Sequence, residues 1–375
     1  MIPKPPEHVV DIRDQASLVE FCQAMRTREW LAVDTEFLRE STYYPRLCLV
    51  QVADRERIGL IDVLAIDDLS ALGELLTDAS VIKVFHSVEQ DLEVLHHTFG
   101  AIPAPVFDTQ VAAPLAGQDD QMGYARLIEA LLDVKLAKAH TRTDWSKRPL
   151  PAGALDYAAD DVRYLAVAYE LLLEQLGDNG RLAWLADDFA AMTAPGRFDV
   201  DTSQAWRRLK AWHRIPANQQ QVLAELANWR EAQAMSADRP RRWILADDAL
   251  MTLARLQPTD RAALDNIHDV PSKTAARHAD ALLASIAAGK ARPAQPLADH
   301  DGPPDGPTKR QIKAGMDTLT IQADTAGIPT SAIASRHEVA AIVNGERDVR
   351  LLSGWRREVA GAAVLAEVER VKAQG

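Results

Sequence analysis

The sequence predicts an α/β domain with a mixed sheet flanked by helices, followed by two small all-α domains. Three observations predict this. Short β-rich runs alternate with helically spaced segments over residues 29–111; beyond about residue 197 the β-rich runs stop while amphipathic segments continue; and a proline- and glycine-rich stretch, residues 291–307, sets off the last segment. A chain of 375 residues has room for two or three domains at roughly 100 to 200 residues each.

Residues 30–37, 47–53, 58–63 and 81–86 are the strand candidates, each short, β-branched or apolar, and bounded by polar or turn residues. The runs 31–37 and 47–53 are separated by too little chain for a crossover helix, so they are expected to pair antiparallel. Residues 70–77 and 89–99 carry apolar side chains at helical spacing, and Gly100 closes the second segment as a C-cap. A long helix is expected over residues 156–176. Further helices are expected over 219–235, 247–255, 260–267 and 272–288, punctuated by Pro216, Pro240, Pro258 and Pro271. Residues 291–307 hold five prolines and two glycines with few apolar side chains, the composition of an extended linker. The expected domains are therefore 1–200, 201–290 and 308–375, with the linker between the last two.

Hydrophobic residues at 47% and charged residues at 26% are ordinary globular usage, which excludes a globally disordered chain. The net charge of −12 argues against non-specific coating of nucleic acid and leaves room for local basic surfaces. Cys22 and Cys48 are too few for a disulfide framework or a cysteine zinc site. Residues 1–8 lack the apolar stretch of a signal peptide, and no segment offers about 18 uninterrupted apolar residues, so a cytoplasmic protein without membrane contact is expected. With no exposed heptad seam in the sequence, a monomer is the default.

The first chemical signal is Asp34-Thr35-Glu36 inside an apolar run. In a strand, residues two apart share a face, so both carboxylates project together. Either they lie at an edge in water, or a hard divalent cation such as Mg²⁺ or Mn²⁺ neutralises them. The second is Asp91, where a buried strand passes into a helix; an acid in a first turn also suits the helix dipole alone. The third is Tyr157 with Asp161, four apart on one helix face, while Asp160 is turned away by about 100°.

In this order, Asp-x-Glu in a strand, Asp at a strand–helix junction and Tyr-x-x-x-Asp on a helix, the motifs resemble the DEDD exonuclease superfamily, in the branch with tyrosine in the third motif. Residues 33–37, Tyr43-Tyr44-Pro45, Leu49-Val50-Gln51, His86-Ser87 before Asp91, and residues 141–150 closely resemble the ribonuclease D family. The segment from Trp206 to Lys290 is similar to the helicase-and-RNase-D C-terminal (HRDC) domain. The resemblance implies a ribonuclease H-like exonuclease fold and two divalent ions, Mg²⁺ or Mn²⁺, bound by Asp34, Glu36, Asp91 and Asp161. Two such ions about 3.5 to 4 Å apart activate water on one side of phosphorus and stabilise the departing 3′ oxygen on the other. Tyr157, matching the motif tyrosine, would orient the attacking water; with an ordinary pKa near 10 it is not the bulk proton acceptor at neutral pH.

The implied activity is 3′ to 5′ exoribonucleolytic trimming of transfer RNA precursors and other small structured RNAs, releasing nucleoside monophosphates. A DNA exonuclease of the same superfamily is the nearest rival, and a non-catalytic RNA-binding scaffold is the rival of a different class. His86, Gln90 and Asp108 are candidates to support the ligand carboxylates, though His86 reads first as a satisfied core residue. Arg142, Trp145, Lys147 and Arg148 suit the end of a single RNA strand, or form a surface loop anchored by Trp145. Gln51 reads as a contact to the terminal nucleotide or as β-core. Arg207 and Arg208, and Arg241 and Arg242 beside Trp243, read as RNA-binding clusters or as solvated helix faces.

Overall fold

A computed structural model describes residues 2–137, 143–297 and 305–374. The chain divides into two compact units, one from Met1–Leu38, Leu47–Arg197 and Pro303–Gly375, the other from Arg39–Arg46 and Phe198–Gly302.

The first unit is built on six strands: β1 (His8–Ile12), β2 (Trp30–Leu38), β3 (Arg46–Ala53), β4 (Arg57–Ile61), β5 (Ile82–Phe85) and β6 (Val106–Asp108), in the order β1-β4-β3-β2-β5-β6. The sheet is mixed, as expected: β1 runs parallel to β4, β5 parallel to both β2 and β6, and β3 antiparallel to β4. β2 and β3 are neighbours, joined without a crossover. Trp30, Ala32, Ile58, Leu60 and Val84 on one face share a core with Ala154, Ala158, Val162 and Leu165 of the long helix Ala152–Asp178. Each such fully buried Leu, Ile or Val stabilises by about 1.5 to 3 kcal/mol. On the opposite row, Phe21 of α1 (Gln15–Met25) lies over Gly59 so closely that a Cβ there would stand 2.4 Å from the ring.

Two strands escape the sequence pattern. β1 has only a partly buried five-residue run, and β6 is three residues long, too short to show a period. The run expected over 58–63 ends at Ile61; the Asp62 N–H still donates to the Ile12 carbonyl at 2.9 Å, while its carboxylate pairs with the Arg148 guanidinium at 2.6 Å. α2 (Ser70–Thr77) and α3 (Glu89–Phe99) match their expected spans, and Gly100 ends α3 in the left-handed conformation at φ 70°, its N–H on the His96 carbonyl.

The last helices, Gly306–Ala326, Arg336–Val343 and Ala362–Ala373, belong to the sheet's unit. Ile312, Leu319, Val339 and Val364 are part of the same buried cluster as the long helix. Trp355 stacks on Trp184 at 4.5 Å and 9°, and the buried Arg356 guanidinium donates to Asp188 at 2.8 Å. Residues 298–304 of the expected linker lie outside the described residues. Gly306 and Pro307, also assigned to it, instead open a helix: the Asp305 carboxylate accepts from the Thr308 N–H at 2.8 Å, and proline suits a first turn that needs no donor.

The second unit packs Ala217–Ser236, Asp247–Leu256, Arg261–Asp265 and Ser272–Ala291 around Leu223, Leu226, Leu250, Leu253, Leu282 and Ile286. Pro216, Pro240 and Pro271 each stand immediately before a helix, so they start helices rather than ending them. The Tyr43 hydroxyl donates to the buried Glu231 at 2.5 Å, and the Tyr43 and Tyr44 N–H groups donate to Asp238.

Candidate active site

β2 alternates between two rows. Trp30, Ala32, Asp34 and Glu36 fall in the row facing the long helix, and Thr35 falls in the other. The long helix presents Asp161 to the first row, and one carboxylate oxygen from each of Asp34, Glu36 and Asp161 lies within 4.8 Å of the other two. Asp160, one step around the helix, pairs instead with Arg163. Of the two neighbours it is Asp161, four positions from Tyr157, that the structure brings beside Asp34 and Glu36.

Asp91 stands outside this triplet but within reach of its field. It is buried in the first turn of α3, where Thr35 Oγ donates to it at 2.5 Å, and its charge raises the pKa of Glu36. The turn that delivers it is built by Asp108, a buried carboxylate that accepts from the N–H groups of Ser87 at 2.9 Å, Val88 at 3.0 Å and Gln110 at 2.8 Å. Ser87 sits at φ 64°, a left-handed backbone position that the Asp108 clamp holds in place.

The electrostatics are those of negative charge out of water. Burial, then the charge of Asp161, raises Asp34 well above the carboxylate range. Burial and the neighbouring Asp34 push Glu36 up to about 9; burial and then Asp160 push Asp161 up to about 7; burial and Asp34 raise Asp91. Three converging, partly buried carboxylates whose charging is unfavourable are oxygen donors suited to a hard divalent cation, so the residues fit the metals that the resemblance implies. The Tyr157 hydroxyl donates to Asp161, and burial, followed by that carboxylate's charge, raises the phenol further above its ordinary pKa. Tyr157 is thus a hydrogen-bond donor at neutral pH.

Tyr124 was not visible as a site residue in the sequence. Its hydroxyl donates to the Asp160 carbonyl at 2.8 Å, its ring lies 5.6 Å from His86, and burial with the charges of Asp161 and Asp34 raises its pKa. A lone tyrosine opening an amphipathic helix carries no chemical signal. His86 is a satisfied core residue, Nδ1 3.0 Å from Thr109 Oγ and Nε2 3.0 Å from the Met122 carbonyl, and Gln90 is exposed.

Several RNA-contact expectations require correction. Trp145 is only 4% exposed, its ring 6.4 Å from Tyr157, so it anchors its loop from inside the core rather than offering a free face to a base. Arg148 spends its guanidinium on Asp62 at 2.6 and 2.7 Å and on the carbonyls of Cys48 and Trp145. Gln51 is fully buried in β3, so it belongs to the β-core. Arg241 is held by Glu231 at 2.5 and 2.7 Å and by Tyr43. Lys147, Arg207, Arg208 and Arg242 are exposed, Arg207 lying over Trp206, and Arg142 lies outside the described residues.

A sequence model of the 3′-5′ exonuclease family matches residues 9–177, and one of the HRDC domain matches residues 219–286. The ribonuclease D of Gluconacetobacter diazotrophicus is 36% identical, over 96% of this chain and 92% of its own length. That of Pseudomonas paraeruginosa is 37% identical, over 96% and 97%. The chain belongs to the ribonuclease D family. The crystal structure of Escherichia coli RNase D, described as an exoribonuclease involved in structured RNA processing, is similar over 97% of this chain and 99% of that one, with 30% identity and a TM-score of 0.86. A protein from Bifidobacterium adolescentis, 20% identical with a TM-score of 0.71, shares the fold. As a ribonuclease D the chain is a 3′–5′ exoribonuclease, a phosphodiester hydrolase dependent on divalent metal. Among the described residues no helix is long and apolar enough to cross a membrane.

Proposed function

We propose that this enzyme trims the 3′ trailers of transfer RNA precursors and other small structured RNAs, one nucleoside 5′-monophosphate at a time. The observation that carries the reading is the convergence of Asp34, Glu36 and Asp161 with Tyr157 hydrogen-bonded to the last of them. Asp34, Glu36 and Asp161, with Asp91 at the head of α3, would hold two divalent ions, Mg²⁺ or Mn²⁺. When bound, these supply an activated water on one side of the phosphorus and charge stabilisation for the leaving 3′ oxygen on the other.

The chain's own residues do the rest. Tyr157 keeps its proton and donates, orienting water beside Asp161 rather than deprotonating it. Thr35 and the Asp108 clamp fix Asp91 at the head of α3, so the fourth acid does not swing away when the cluster is charged. Exposed Lys147, Arg207, Arg208 and Arg242 offer phosphate contacts without base readout, consistent with substrates chosen by an accessible 3′ end. A domain boundary near residue 200, a cytoplasmic location and a monomeric state belong to the same proposal.

The test is a transfer RNA precursor with a short 3′ trailer against the same RNA ending in a duplex. Removal of the trailer as mononucleotides, with the blunt duplex persisting, is the expected result. Equal or faster attack on recessed duplex DNA would favour a DNA exonuclease instead.

A further inference from the structure

Two cavities in the helical unit share one wall, the indole of Trp243. The first, about 480 Å³, is lined by Arg39, Arg208, Arg230, Arg241 and Arg242 together with Tyr43. The second, about 660 Å³, is lined by Lys273, Thr274, Arg277 and His278. Trp243 is 62% exposed, unusual for the largest apolar side chain, with the Arg239 guanidinium 5.9 Å from its ring centre.

The cations of the first cavity divide by what they already serve. Arg241 neutralises the buried Glu231, and Arg230 pairs with Asp247 at 2.7 Å while donating to the Leu245 carbonyl. Arg208 and Arg242 are exposed and form no ion pair among the described residues, and of the carboxylates around them only Glu40 is left unanswered by those two pairs. The second cavity has no carboxylate in its lining. It opens on the first turn of Ser272–Ala291, where N–H groups and the helix dipole favour an anion beside Lys273 and Thr274. The chain as a whole carries −12, so these cationic pockets are not samples of a generally basic surface.

Cations, an exposed flat aromatic ring and cations again is the chemistry that holds unpaired nucleic acid, the ring for a base and the cations for the flanking phosphates. We propose that Trp243 is a stacking platform for an unpaired base of RNA. The phosphate on one side of that nucleotide is held by Arg208 and Arg242, and the phosphate on the other by Lys273 and Arg277. The inference rests on the RNA-processing reading above and gives the helical unit a defined hold on an unpaired part of the substrate.

The experiment uses the full chain with Asp161→Asn, so that RNA is not consumed, and measures affinity for a labelled uridine homopolymer across a salt series, with melting temperature alongside. Trp243→Ala weakens binding about tenfold and Trp243→Phe restores most of it, since both rings offer a π face. Arg242→Gln and Arg277→Gln each lower the salt slope by about one. Equal affinity of the Trp243→Ala and unsubstituted chains overturns the proposal. So does a loss that Trp243→Phe leaves unrepaired and a lower melting temperature accompanies, and so does displacement of the RNA by phosphatidylglycerol vesicles acting through these same residues. Hydrolysis of RNA by the unsubstituted enzyme is measured in parallel: its absence sinks the RNA-processing reading, whereas hydrolysis with unaltered binding by Trp243→Ala sinks this inference alone.

Discussion

Replacing Asp161 by asparagine should stabilise the metal-free protein while abolishing its activity. Folding carries the Asp161 carboxyl from 3.8 to about 7, chiefly by burial and then by Asp160. A raised carboxyl pKa contributes stability that is fully present below pH 3.8 and is lost as pH climbs through 7, because over that window the native state binds the extra proton. At about 1.4 kcal/mol for each tenfold, the cost above pH 7 is on the order of 4 kcal/mol; partial screening by solvent brings the expected gain from Asp161→Asn to about 1 to 3 kcal/mol. The assay is thermal and urea unfolding in EDTA between pH 4 and 8. The variant's advantage should grow across the window and flatten above pH 7. Added Mg²⁺ or Mn²⁺ at a hundredfold over its dissociation constant should stabilise the unsubstituted protein by about 2.7 kcal/mol and the variant by much less. An asparagine variant no more stable than its parent at pH 7.5 in EDTA would refute the reasoning.

Three further outcomes follow from the buried polar groups. Lys83 is fully buried, its ammonium donating to the carbonyls of Asp78, Val81 and Ala104 at 2.6 to 2.7 Å, so Lys83→Met, which leaves them unpaired, should cost about 2 to 4 kcal/mol. Burial lowers its pKa to about 8, so the parent gains stability as pH rises from 8 to 10.5 and the deficit of Lys83→Met, read by unfolding, should widen over that range. Asp108→Ala, by orphaning three N–H groups and releasing the Ser87 turn, should lower stability by about 2 to 4 kcal/mol and raise the divalent concentration needed for half-maximal hydrolysis. Arg356→Ala takes away the buried partner of Asp188 and leaves it only the half-exposed Arg350 at 3.6 Å, and calorimetry should show a loss of about 2 to 3 kcal/mol in the transition that also melts the sheet.

What the sequence made legible were local periodicities. A period of two put Asp34 and Glu36 on one face, and a four-residue helical step chose Asp161 over Asp160. What stayed hidden were partners far along the chain. Thr35 meets Asp91 across 56 positions, Arg148 meets Asp62 across 86, and Arg356 meets Asp188 across 168. A basic and aromatic segment such as residues 143–150 has the same composition whether its arginine faces RNA or folds back on a carboxylate, and only the buried Trp145 decides which. Likewise, the proline-rich stretch marks a break in the pattern without revealing that the helices after it share the nuclease core.

The most direct measurement is a time course on a 5′-labelled RNA hairpin with a short single-stranded 3′ tail, with Mg²⁺ or Mn²⁺, with EDTA, and with Asp161→Asn. The account predicts a ladder shortening from the 3′ end that both the chelator and the substitution stop. RNA left intact by the unsubstituted enzyme with either metal, or a ladder that persists in EDTA or with Asp161→Asn, would contradict it.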